Sequence, residues 1–101
     1  MEMWKQFAKK VKGCGFKGQV FFNDEGGVSR LVISVPLSLI EEVIFSRDVW
    51  KWVVRLNNGC KLIYDGEDRS LSVNDFVMHN TPSILTIEEG MLTIEVFNPE
   101  R

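Results

Sequence analysis

Two periods divide this chain. Over residues 2–12, Met3, Phe7 and Val11 recur every four residues, with Trp4 and Ala8 beside them. Lys5, Lys9 and Lys12 fall on the opposite side. That spacing predicts an amphipathic helix. Glu2 in its first turn and Lys9, Lys10 and Lys12 in its last suit the helix dipole, and Gly13 is a natural stop. Trp4, Phe7 and Val11 are too apolar to stay in water, so the helix is expected to pack Met3, Trp4, Phe7 and Val11 on the open face of a sheet.

From Phe16 onward the period is two. Residues 16–22 and 28–35 predict two strands around an Asp24-Glu25-Gly26-Gly27 turn, with Leu31, Ile33 and Val35 on one face. Pro36 ends the second strand, because proline donates no hydrogen bond to a ladder. Residues 37–48 admit two readings. Ser38 followed by Glu41 has capping-box spacing, and Leu39, Ile40, Val43 and Ile44 fit a short helix. Val43-Ile44-Phe45 also fits a strand that stops at Ser46-Arg47-Asp48. The pattern leans to a helical turn running into a strand.

Next comes the clearest hairpin. Trp50, Trp52, Val54 and Leu56 alternate with Lys51, Val53 and Arg55; Cys60, Leu62 and Tyr64 share a face on the return. A two-residue Asn58-Gly59 loop sets Leu56 against Lys61 and turns Leu62 and Tyr64 to the wrong side. A three-residue loop, Asn57-Asn58-Gly59, pairs 56 with 60, 54 with 62 and 52 with 64. The larger apolar groups then share one face, Gly59 takes a left-handed conformation and Cys60 points inward. After the Asp65-Gly66-Glu67-Asp68 turn, residues 71–78 predict a weaker strand. A last hairpin, 84–88 and 91–97 around Glu89-Gly90, sets Ile87 against Leu92 and Leu85 against Ile94.

The fold class expected is α+β in a single domain over residues 1–101: an N-terminal amphipathic helix on a twisted antiparallel sheet or partly closed β-roll of six to seven strands. A length of 101 residues and 45% apolar content suit one ordinary core. No apolar run approaches the roughly 20 residues of a membrane span, and the Lys-rich start is unlike a secretory signal. A cytoplasmic protein is therefore expected. The two cysteines make no C-x-x-C pair and no zinc site without other ligands. Two reduced thiols are the default, with a Cys14–Cys60 disulfide as the alternative.

Charge changes the picture of partners. Of 12 basic and 14 acidic side chains, five lysines but only one acid, Glu2, fall in the first twenty residues. A basic helix is thus joined to an acidic, strand-patterned body, which bears on partners rather than on fold.

Candidate chemistry is thin. Residues 13–20 spell G-x-G-x-x-G-x-V, but the motif here follows a helix and opens a strand, the reverse of a dinucleotide site. It reads as a helix stop and loop. His79, the single histidine, has no acid or thiol near it in sequence; pairing with Cys14 or Cys60 in space would be needed for a nucleophile and base. The paired acids fall at turns or on a helix face. The Asp65, Glu67, Asp68, Asp75 stretch lacks the order of a calcium loop. No catalytic residue, metal ligand or cofactor is assigned, and the chain is expected not to be an enzyme.

The expected function is a small protein-binding module: an adaptor, inhibitor or assembly component. Its surface would be acidic and aromatic, using Asp65, Glu67, Asp68, Trp50 and Trp52, and a basic protein is the partner such a surface suits. Trp50 and Trp52 are read first as core, and as a hot spot if uncovered. The alternative is nucleic-acid binding through Lys5, Lys9, Lys10, Lys12 and Lys17. Open sheet edges also make a homodimer an expectation.

Overall fold

A computed structural model describes residues 2–22, 24–48 and 50–98. One helix, α1 (Glu2–Gly13), precedes nine strands: β1 (Lys17–Phe22), β2 (Val28–Pro36), β3 (Ile40–Ser46), β4 (Lys51–Leu56), β5 (Lys61–Asp65), β6 (Ser70–Val73), β7 (Phe76–Met78), β8 (Ser83–Glu88) and β9 (Met91–Phe97). They form two antiparallel sheets, ordered β1-β2-β9-β8 and β3-β4-β5-β6-β7. The α+β class therefore holds. The expected single sheet or partly closed roll of six to seven strands does not: the nine strands make two layers that share one core.

Alternation builds that core. Leu31, Ile33 and Val35 of β2 and Leu92, Ile94 and Val96 of β9 are fully buried and stand opposite one another across the ladder. Trp52, Val54 and Leu56 of β4 and Leu62 and Tyr64 of β5 meet them from the second sheet. Two half-buried sheets joined by inward rows is the ordinary solution for strands of period two.

Two strands come from a segment read as one. Residues 71–78 turn at Asn74-Asp75, where Asn74 adopts φ 54° and Val73 pairs with Phe76. Asparagine tolerates the left-handed region, so this tight turn needs no glycine. The ambiguous segment resolves as a single 3-10 turn at Leu37–Leu39 running into β3. Here the chain crosses from one sheet to the other, and Leu37 N–H bonds to the Gly90 carbonyl in the β8–β9 turn. The three-residue loop is as expected: Trp52 pairs with Tyr64, Val54 with Leu62, Leu56 N–H bonds to Cys60 O, and Gly59 has φ 95°. Ile87 pairs with Leu92 and Leu85 with Ile94.

The helix does not lie across an open sheet face. It packs against β1 and β2 of one sheet and β6 and β7 of the other, closing the seam between their edges. Phe7 and Val11 are fully buried, and Phe7 meets Phe76 of β7 ring to ring at 5.8 Å. Ala8 is buried, whereas Met3 is exposed, contrary to its expected place in the core. Gly18 of β1 sits beneath the helix, with the position of a Cβ 3.7 Å from Val11 Cγ1. That is ordinary van der Waals distance, so the space between helix and strand holds a methyl group but little more.

Cys14 and Cys60 are joined as a disulfide, with Cα atoms 5.8 Å apart, and neither thiol is free. The expectation of two reduced thiols is thereby corrected. Cys14 follows the helix stop, and Cys60 lies on the inward face of the β4–β5 hairpin, so the register that turns Cys60 inward brings them together. The Asn58 side chain adds a second tie, donating to the Cys14 carbonyl at 2.8 Å.

Candidate functional site

The β1–β7 flank is closed by α1; the opposite flank, between β3 and β8, is not. β3 is the last described strand of its sheet and β8 the last of the other. Pairing fixes which way their side chains point. Val43 lies opposite Val54 and Phe45 opposite Trp52, so both face the inner layer. On β8, Leu85 and Ile87 lie opposite Ile94 and Leu92 and face inward as well. Yet Val43, Phe45 and Ile87 keep 39%, 51% and 50% of their surfaces exposed. Inward-facing apolar groups left in water mean that the two sheets do not cover each other along this edge.

The seam is deepest at one end. Phe45, Trp50, Trp52, Ser83, Ile84 and Leu85 line a notch of about 270 Å³. Trp52 forms its buried wall, stacked on Tyr64 at 5.5 Å. Trp50 forms its rim, edge-on to Phe45 at 5.5 Å and 61% exposed. The sequence placed Trp50 and Trp52 on one face of one strand, and the structure corrects this. β4 begins at Lys51, and Trp50 belongs to the preceding turn with φ 52°. A left-handed residue breaks the alternation, so the two indoles part: one joins the core and the other stands in solvent.

The acidic turn abuts this rim. Gly66 N–H donates to the Trp50 carbonyl at 3.0 Å, and Asp65 stands opposite Lys51. Asp65 uses its carboxylate within the turn, accepting from Glu67 N–H at 3.0 Å. Glu67 and Asp68 are exposed. Gly66 has no substitute here, because a Cβ would overlap the Trp50 carbonyl oxygen and lie 2.9 Å from Trp50 Cβ. Asp65, Glu67, Asp68, Trp50 and Trp52 are therefore brought into one neighbourhood, as the β4–β5 register requires.

Sequence reasoning missed Val43, Ile44, Phe45, Ile84 and Ile87 as surface groups. A signal was present. Val43-Ile44-Phe45 puts apolar residues on both faces of a strand, a pattern that asks for cover on both sides. Ile44, facing outward beside Val53, is 50% exposed, and Ile84 is 54% exposed.

The other candidates lie apart. Lys5, Lys9, Lys10, Lys12 and Lys17 are all exposed, on α1 and the start of β1. Lys10 Nζ sits 5.8 Å from the Phe76 ring centroid, on the helix-closed flank. Lys12 and Lys17 border an open groove of about 430 Å³ with Phe16, Gln19, Val32 and Ser34. His79 is exposed, and with both sulfurs bonded to each other no thiolate is available to it. Among the described residues, no group of three or more His, Cys, Asp or Glu side chains is placed to hold a metal ion. No described helix is long and apolar enough to cross a membrane.

Compared with known proteins, the chain matches no family model, no curated protein and no solved structure.

Proposed function

We propose that this protein is a binding module for another protein, an adaptor, inhibitor or assembly component, and that the open β3–β8 flank is its working surface. The observation that carries this reading is the apolar surface left open along the seam by Val43, Phe45, Trp50, Ile84 and Ile87. Half-exposed side chains of this size leave roughly 100 Å² each in water, so together they reach the upper half of the roughly 300–600 Å² found on a typical monomer's largest patch. The notch supplies a pocket for one apolar anchor of the partner, with an aromatic wall and an aromatic rim. Glu67 and Asp68 beside it favour a basic residue next to that anchor. The expected surface is thus kept but re-centred, with Trp50 as the hot spot and the acids as its rim.

The Cys14–Cys60 bridge counts against the cytoplasmic placement expected from the sequence, since disulfides persist in oxidising compartments.

The test is affinity capture with nuclease present, at low and high salt, comparing three proteins. Trp50→Ala removes the rim without touching the core and is expected to weaken capture by at least about thirtyfold, the size of a ~2 kcal/mol hot spot. The double variant Glu67→Gln, Asp68→Asn is expected to act mainly on association rate and to flatten the salt dependence. A partner captured equally well by all three would sink the reading. A second reading, nucleic-acid binding by Lys5, Lys9, Lys10, Lys12 and Lys17, is favoured by their shared exposure on one flank. It requires a ligand lost on nuclease treatment and at high salt.

A further inference from the structure

We infer that β3 pairs with β3 of a second copy of this chain, joining the two five-stranded sheets into one across a two-fold axis centred on Ile44. This rests on the reading that protein covers this flank, but it uses the strand's backbone rather than the notch.

The backbone argument starts at the hairpin. Leu56 N–H bonds to Cys60 O, so Leu56 turns its polar groups toward β5. By antiparallel alternation Val54 and Trp52 do the same, and Val53 turns toward β3. Val53 pairs with Ile44, so Ile44 spends its N–H and C=O on β4. Val43 and Phe45 then direct theirs away from β4, to the sheet edge. Edges of natural sheets are blunted by lysine, proline or short length. β3 is seven residues long, and its Val43-Ile44-Phe45 segment carries no charge and no proline.

The register follows from self-complementarity. A two-fold axis normal to the sheet makes an antiparallel pair in which like faces stay together, so the strands can shift only in steps of two residues. Centred on Val43, the pairing sets Glu41 against Phe45 of the twin and Glu42 against its Ile44. Centred on Phe45, it sets Glu42 against Asp48. Centred on Ile44, it sets Val43 against Phe45 on the inner face, twice, and Ile44 against itself on the outer face. It also sets Glu42 against Ser46, and leaves Glu41 and Glu42 on Arg55, with which both are ion-paired. One register therefore pairs apolar groups with apolar groups, and the neighbouring two set an acid against an apolar group or against another acid.

The area is modest. Val43, Ile44 and Phe45 hold about 300 Å² of exposed apolar surface per copy, and seven residues of strand backbone add to it; the sum stays below the roughly 800 Å² per partner of a standard interface and suits a reversible dimer.

The experiment is sedimentation velocity of the full chain over a wide concentration range, with two variants at the exposed Ile44. The wild type is expected to dimerise reversibly. Ile44→Lys sets two ammonium groups directly opposite and is expected to weaken the dimer by at least about tenfold while leaving the circular dichroism spectrum of the monomer unchanged. Ile44→Cys is expected to form an intermolecular disulfide under mild oxidation, because a centred pair stands about 4.5–5.5 Å apart between Cα atoms. Glu42→Cys should not, since its twin lies four residues, or about 13 Å, away. A wild type that stays monomeric at every concentration overturns the proposal. So does a dimer indifferent to Ile44→Lys, or one that cross-links through residue 42 and not 44. Any of these leaves the notch reading standing, because that is scored separately by Trp50→Ala with a different partner.

Discussion

At the scale of single residues, Gly66 and Trp50 decide whether a surface exists. Trp50 takes a left-handed backbone that costs a non-glycine residue on the order of 1 kcal/mol, and the Gly66 N–H bond to its carbonyl holds it there. Gly66 permits that bond by having no Cβ. Gly66→Ala must push backbone against backbone, and neither side is a flexible tip. We expect a loss of about 1–3 kcal/mol in urea unfolding, together with weaker partner capture, because Trp50 is displaced from Phe45. An alanine variant with wild-type stability would show that the two turns are not in contact. None of this could be read from the chain itself. Asp65-Gly66-Glu67-Asp68 announces a turn, but no local pattern says that its glycine meets a carbonyl sixteen residues earlier.

At the scale of elements, periodicity read well wherever a buried face was at stake. The β4–β5 register came out of the sequence because Leu62 and Tyr64 have one side on which they can be buried, and a slip of one residue would put them in water. That register also turned Cys60 inward, although the disulfide remained the less favoured alternative until Cys14 was placed. The bridge closes a long loop, with a sequence separation of 46, and ties the end of α1 to the β4–β5 hairpin. On chain-entropy grounds it is worth about 4 kcal/mol. Replacing both cysteines by alanine is expected to lower the urea midpoint and to raise the slope, because the unlinked denatured chain exposes more surface, and adding reductant to the wild type should reproduce both changes. A shift below about 1 kcal/mol would mean that Phe7 and Val11 hold the helix without it. The hairpin at Asn74-Asp75 escaped notice for a different reason: its turn uses an asparagine where the usual signal is glycine.

At the scale of the whole molecule, the informative asymmetry is between two flanks. A two-layer sheet has two seams, and the one α-helix among the described residues closes one of them. Strand patterning tells which way each side chain points, but not how far the opposing sheet extends, so Val43-Ile44-Phe45 signalled apolar residues on both faces of β3 without showing that this edge stays uncovered. Charge follows the same division. Lys5, Lys9, Lys10, Lys12 and Lys17 are exposed on the helix-closed flank, while Trp50, Glu67 and Asp68 stand at the open one. The two candidate surfaces are therefore separable. Replacing the five lysines by glutamine removes solvated charges that touch little of the core, so stability should stay within about 0.5 kcal/mol of the wild type per site. Capture of the Trp50-dependent partner should survive that change, because the lysines are remote from the notch and largely screened beyond about 8–10 Å at physiological salt. Any oligonucleotide binding, in contrast, should vanish with the lysines and persist in Trp50→Ala. If the lysine variant instead loses the protein partner, then the partner spans both flanks, and the helix is part of the docking surface rather than only the plug that closes the core.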